Sequence, residues 1–125
     1  MSVEQRLPQY VREATMPRDI ACDLYHGLSS VVVAGVDELW NVKRLAGRVG
    51  ECIEDTEIDA EVTIPLGWED AKTIYAMTVT LVQMCRRDPS FGERHHITVP
   101  GLIAIRMAMR EYLEVVAQVR GMELN

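Results

Sequence analysis

The sequence predicts a mainly α-helical bundle of three to five helices carrying one small two-stranded β ribbon. Three observations lead there. Apolar residues recur at steps of three and four over most of the chain, the period of a helix with one buried stripe. After Asp55 the pattern changes to strict alternation, the period of a half-buried strand. Prolines stand just ahead of three helical patterns, where a missing N–H costs nothing.

The elements follow in order. Pro8 suggests a short first helix from Leu7 to Ala14. The triplet Thr15-Met16-Pro17 then reads as a helix start: the residue before Pro is pushed into extended backbone, and the Thr hydroxyl is placed to cap a free N–H. Thr63-Ile64-Pro65 and Thr98-Val99-Pro100 repeat the pattern and read the same way. After Pro17 the apolar positions Ala21, Leu24, Leu28, Val31, Leu39, Val42, Ala46, Val49 and Ile53 keep a helical period to about Glu54. Gly27 and Gly35 flank the β-branched run Val31-Val32-Val33. A kink or break is expected near Gly35, with Asp37 opening the second half. The small residues Gly27, Ser30 and Ala34 leave room for another helix to approach.

Ile58, Ala60, Val62 and Ile64 alternate with Asp59, Glu61 and Thr63, which predicts a strand over residues 57–64. A shorter alternation at Ile97-Thr98-Val99 supplies its expected partner over residues 95–99. Opposite charges, Glu57, Asp59 and Glu61 facing Arg94 and His96, favour the pairing. Residues 67–87 form a helix with Ala71, Ile74, Tyr75, Thr78, Leu81, Val82 and Cys85 on one stripe. Arg86 and Arg87 suit its C-terminal dipole and Pro89 stops it. Residues 88–94 read as a loop. A last helix runs from Pro100 to Arg120 on Leu102, Ile105, Met109, Tyr112, Leu113, Val116 and Val119, with Gly121 as its stop.

A chain of 125 residues with 48% hydrophobic side chains fits a single helical domain over residues 1–125 with a core of its own. The longest apolar stretch, Leu28 to Val36, is far short of the ~20 residues a membrane span needs. Met1 to Tyr10 carries Glu4 and Arg6 and has no apolar centre, unlike a secretory signal. Cys22, Cys52 and Cys85 are odd in number and form no CxxC pair, which reads as free thiols in a reducing compartment. The expected location is the cytoplasm.

The net charge of −6 argues against direct nucleic-acid binding, where Lys and Arg must neutralise phosphates. The whole excess lies in residues 51–70, which hold eight acidic side chains and no basic one. Glu54, Asp55, Glu57, Asp59 and Glu61 are the candidate binding residues: such a run makes a negative field that steers a basic partner. The alternation of Asp55, Glu57, Asp59 and Glu61 also resembles the start of a calcium loop. Ala60 stands where that loop turns on Gly, and Leu66 where it needs a bidentate Glu, so the match fails.

Arg86, Arg87, Arg94, His95 and His96 bracket the Gly/Pro segment and form a weaker candidate for anion binding, with the helix start at Thr98 to Gly101 offering N–H groups. Pairing of these residues with the acidic strand is the preferred alternative. Cys22 and His26, four apart on a helix, and Cys85 with His95 and His96, are the only Cys–His sets. No CxxC or HExxH frames them, so no metal site and no cofactor is assigned, and no catalytic constellation stands out.

Three functional expectations follow. The first is a non-enzymatic protein-interaction or regulatory module, acting through the acidic surface on a basic protein, as a homodimer because two long helices with broad apolar faces carry more apolar surface than one small bundle hides. The second is an acidic nucleic-acid mimic that blocks a DNA- or RNA-binding protein. The third is a small metal protein or enzyme using Cys22, His26, Cys85, His95 or His96.

Overall fold

The computed structural model describes residues 13–33 and 42–124, with side chains described through residue 119. Among the described residues five helices and two short strands follow one another: β1 (Glu13–Met16), α1 (Arg18–Val33), α2 (Lys43–Asp55), β2 (Val62–Pro65), α3 (Trp68–Arg87), α4 (Pro89–His95) and α5 (Val99–Leu124). The mainly helical bundle with a two-stranded ribbon is therefore the fold of the described residues.

Helices α3 and α5 make the most extensive contact, and α1 packs on both α2 and α5. Leu24, Leu28 and Val31 of α1, Ile74, Met77 and Leu81 of α3, and Leu102, Ile105 and Met109 of α5 are almost wholly buried. Each such side chain stabilises the fold by roughly 1.5–3 kcal/mol relative to exposure. Gly27 sits where α1 meets the other two, with Leu81, Leu102 and Met77 just beyond the space a Cβ would take. The buried Ser30 hydroxyl donates to the Gly27 carbonyl at 2.7 Å, so its burial leaves no polar atom unpaired. Ala34, Gly35 and Asp37 lie outside the described residues. In the described part of residues 18–54 the helical pattern is carried by α1 and α2.

The ribbon differs from the expected one. β2 is shorter than residues 57–64, and its partner is β1, not residues 95–99. The strands are antiparallel, with Ala14 opposite Ile64, Thr15 opposite Thr63 and Met16 opposite Val62. The inward residues Ala14, Met16, Val62 and Ile64 are all buried. On the outer face the Thr15 and Thr63 hydroxyls lie 2.9 Å apart. Apolar burial on one face, continued along both strands, decides the pairing; surface charge complementarity is worth too little to compete. Glu13 and Ala14, expected at the end of a short helix, are strand residues, while residues 7–12 lie outside the described set.

The three Thr-apolar-Pro triplets serve two purposes. Pro17 carries the carbonyl that accepts the first α1 bond, from the Ala21 N–H at 3.0 Å, and the Thr98 hydroxyl accepts from the Gly101 N–H at 3.1 Å to cap α5. Thr63 and Pro65, however, belong to β2, and α3 starts only at Trp68, where the Asp70 carboxylate accepts from the Gly67 N–H at 3.2 Å.

Residues 89–95, expected as loop, form α4. Asp88 explains it: its carboxylate accepts from the Ser90 N–H at 3.1 Å and the Ser90 hydroxyl at 2.6 Å, while Pro89 fills the first helical position. α4 ends in a Schellman turn. His96 is left-handed (φ 58°), its N–H donates to the Glu93 carbonyl at 3.4 Å, and the Ile97 N–H donates to the Gly92 carbonyl at 3.0 Å. Ile97 is thereby buried as a plug rather than held in a strand. Finally, Gly121 does not stop the last helix, which runs to Leu124.

Candidate functional site

The acidic segment occupies the end of α2 and the turn leading to β2. Glu51, Glu54, Asp55, Glu57, Asp59 and Glu61 are all exposed. Among the described residues no ion pair engages any of them; the four ion pairs present are Arg48–Asp70, Lys72–Glu69, Arg94–Asp88 and Arg110–Glu114. The last turn of α2 carries Glu54 and Asp55 and no basic residue. Carboxylates at a helix C-terminus oppose its dipole, at a cost of about 0.3–1 kcal/mol at low ionic strength.

Two local devices hold this end in place. The Thr56 hydroxyl donates to the Cys52 carbonyl at 2.6 Å. Arg18, at the start of α1, donates to the Thr56 carbonyl at 3.1 Å and to the Glu57 carbonyl at 3.5 Å. Arg18 thus brings one cation to a segment that has none of its own, but spends it on backbone oxygens rather than on the carboxylates. The Ala60 N–H donates to the Glu57 carbonyl at 3.0 Å and closes the turn. Ile58, read from the alternation as half-buried, stands at the tip of that turn and is 79% exposed. This exposed apolar side chain is flanked in the turn by Glu57 and Asp59. The period-two pattern hid this feature, because it assigned Ile58 to the inner face of a strand that begins four residues later.

The basic group around α4 is distributed among several neighbours. Arg86 and Arg87 are exposed in the last turn of α3. Arg94 lies 3.6 Å from the Asp88 carboxylate and donates to the Ser90 carbonyl at 3.3 Å, so it is engaged within its own helix. His95 rests on Phe91, ring centroids 4.6 Å apart. His96 tilts against His26 of α1 at 5.7 Å. The expected pairing of Arg94 and His96 with Glu57, Asp59 and Glu61 is not formed. The Gly101 N–H at the start of α5 is taken by Thr98.

Of the Cys–His candidates, the structure brings His26 to His96, and places Cys85 and His96 on the wall of one open groove of about 530 Å³ between α3, α4 and the start of α5. Burial pushes the Cys85 thiol up from its ordinary value. Burial, with Asp55 and Glu51 adding to it and Arg48 opposing, raises that of Cys52. Thiols held protonated in this way are poor nucleophiles and poor metal ligands. Among the described residues, no three His, Cys, Asp or Glu side chains gather closely enough to hold a metal ion. No described helix is long and apolar enough to cross a membrane.

No family model, curated protein or solved structure matches this chain. Among the described residues, the exposed carboxylates from Glu51 to Glu61 share one segment and none is engaged in an ion pair.

Proposed function

We propose that this protein is a non-enzymatic interaction module whose binding surface is the acidic end of α2 and the turn after it, and whose partner is a protein with a basic surface. The observation that carries the reading is the arrangement around Ile58. Glu54, Asp55, Glu57, Asp59 and Glu61 are exposed and free of ion pairs among the described residues, and the exposed Ile58 stands between Glu57 and Asp59 in the same turn. A partner that covered Ile58 would desolvate an apolar anchor, while the neighbouring carboxylates set the approach rate and the partner's sign. Its placement works against helix stability, and sequences that break a local rule in this way do so most often at functional positions.

The test is capture from native lysate with the wild type, with a triple variant Glu57→Lys, Asp59→Lys, Glu61→Lys, and with Ile58→Asp. A basic partner that is retained by the wild type, released by moderate salt and lost in both variants supports the reading. Equal retention by all three chains refutes it. Competition by polynucleotide for the captured protein would identify a nucleic-acid-binding target and turn the reading towards mimicry.

Homodimerisation belongs to the same proposal. Met107, 60% exposed, lies on the outer face of α5 next to the Arg110–Glu114 pair, and an antiparallel pairing of two such helices would cover it.

A further inference from the structure

A second surface, separate from the acidic turn, lies along β1. Among the described residues the ribbon has two strands, and β1 is paired with β2 on one side only. Every second residue of such an edge strand points its N–H and C=O away from its partner. Among the described residues no backbone or side-chain group takes up the outer edge of β1. Beside that edge runs a groove of about 280 Å³. All four residues of β1 line it, the inward Ala14 and Met16 as well as the outward Glu13 and Thr15. A groove touched by consecutive strand residues follows the strand's edge, not either face. Its opposite wall is α5, which contributes Ala108, Glu111, Tyr112 and Val115.

The electrostatics of the groove select its occupant. Among the described residues, two carboxylates, Glu13 and Glu111, line it, and no basic side chain does. Neither carboxylate has an ion-pair partner among the described residues. A second copy of this chain laid edge to edge on β1 would bring another Glu13 and Glu111 to the same short ribbon, which like-charge repulsion opposes. An extended segment with Lys or Arg at its ends has the matching charge.

We infer that the β1–α5 groove is a strand-addition site for an extended, basic peptide segment. About four residues of the segment, some 13 Å at ~3.3 Å per residue, add to the free edge of β1. Alternate side chains rest on Ala108 and Val115, and a flanking Lys or Arg meets Glu111 or Glu13. This site is independent of the Ile58 surface and adds to it.

The probe is an array of capped hexapeptides with Lys or Arg at both ends and Val, Ile, Thr or Leu between, tested on the full chain. The expected result is binding with a dissociation constant on the order of 100 µM. Backbone amide shifts should be confined to residues 13–16 and the α5 wall. Changing Glu13 and Glu111 to Lys should weaken binding roughly tenfold or more. Val115→Arg, which fills the groove from an exposed helix position, should abolish it. N-methylation of alternate peptide amides should also abolish it, because the main-chain bonds carry the contact. Charge reversal at Glu57 and Asp59, which lie in the turn before β2, should weaken binding far less than the change of Glu13 and Glu111, which separates this site from the acidic turn. Any of four results overturns the inference: no array member binding at about 1 mM, equal binding of peptides with Glu at both ends, binding indifferent to N-methylation, or shifts that map to residues 54–61. A dimer that Val115→Arg dissociates and Met107→Lys leaves intact, with no peptide bound, would assign the groove to a second copy and overturn it as well.

Discussion

Gly47→Ala and Gly92→Ala are the same substitution inside two helices and are expected to act with opposite sign. Gly47 lies inside α2, exposed, and nothing stands within 4 Å of where its Cβ would be. Replacing it with Ala removes backbone entropy from the unfolded chain and should stabilise the protein by about 0.5–1 kcal/mol. Gly92 lies inside α4 and would gain the same amount, but its Cβ would fall 2.9 Å from the Ile97 carbonyl oxygen and 3.4 Å from the Cys85 Sγ. The carbonyl cannot recede easily, because the left-handed His96 and the Ile97-to-Gly92 hydrogen bond fix it and the Ile97 side chain is buried. Overpacking of this kind costs roughly 1–3 kcal/mol. Less the helix gain, Gly92→Ala should destabilise by roughly 1–2 kcal/mol. With a urea slope of about 1.5 kcal/mol/M, the midpoint falls by about 1 M, while that of Gly47→Ala rises by about 0.5 M. A Gly92→Ala variant as stable as the wild type would refute the argument that close approach to Ile97, rather than local backbone preference, places glycine there.

Other predictions concern polar contacts, titration and assembly. Tyr112→Phe removes the hydroxyl that donates to the Leu66 carbonyl at 2.6 Å and should cost about 1–2 kcal/mol in urea denaturation, with the helical circular dichroism unchanged. The Asp88 carboxyl is held below the usual carboxylate range, mainly by the Ser90 hydroxyl. The unfolded chain therefore binds this proton more readily, and the stability Asp88 supplies is present above the unfolded value and lost as pH falls through the folded one; Asp88→Ala should flatten the decline of melting temperature below about pH 4. Asp23 runs the other way. Burial, aided by Asp19 and opposed by His26, raises its carboxyl, so its contribution is present at acid pH and lost as pH rises through the folded value. Asp23→Asn should raise the melting temperature at neutral pH and leave it unchanged in acid. Light scattering at micromolar concentration should return twice 14.1 kDa for the wild type and a single chain's mass for Met107→Lys.

The long helices were legible because their apolar stripes are local and repeated: Ala71 to Cys85 on α3 and Leu102 to Val116 on α5 hold their spacing over many turns. The ribbon was half legible. Val62 and Ile64 announce a strand, but nothing local says that their partner is four residues near the start of the chain. Glu13-Ala14-Thr15-Met16 alternates for too few positions to outweigh a nearby proline, and Ile97-Thr98-Val99 alternates just as briefly without being a strand. α4 was missed because Pro and Gly were weighed as breakers, whereas Asp88 and Ser90 make the proline a helix start. For the candidate site, the carboxylates were visible as composition. The exposure of Ile58 and the groove beside β1 were not, since both depend on where a strand begins and which strand it meets.

The ribbon also orders events in time. Thr15 and Thr63 meet across 48 positions of chain. At a synthesis rate of roughly 5–20 residues per second, β1 waits about 2–10 seconds for its partner to be made. Closing a loop of that length costs roughly 3 kcal/mol before any contact across it offsets the loss. The ladder itself has only four residue pairs. β1 should dock after α3 and α5 have packed, and in native-state hydrogen exchange the amides of residues 62–65 should open well before those in the middle of α3. On this ordering the ribbon locks after the helices it rests on and lets go before them.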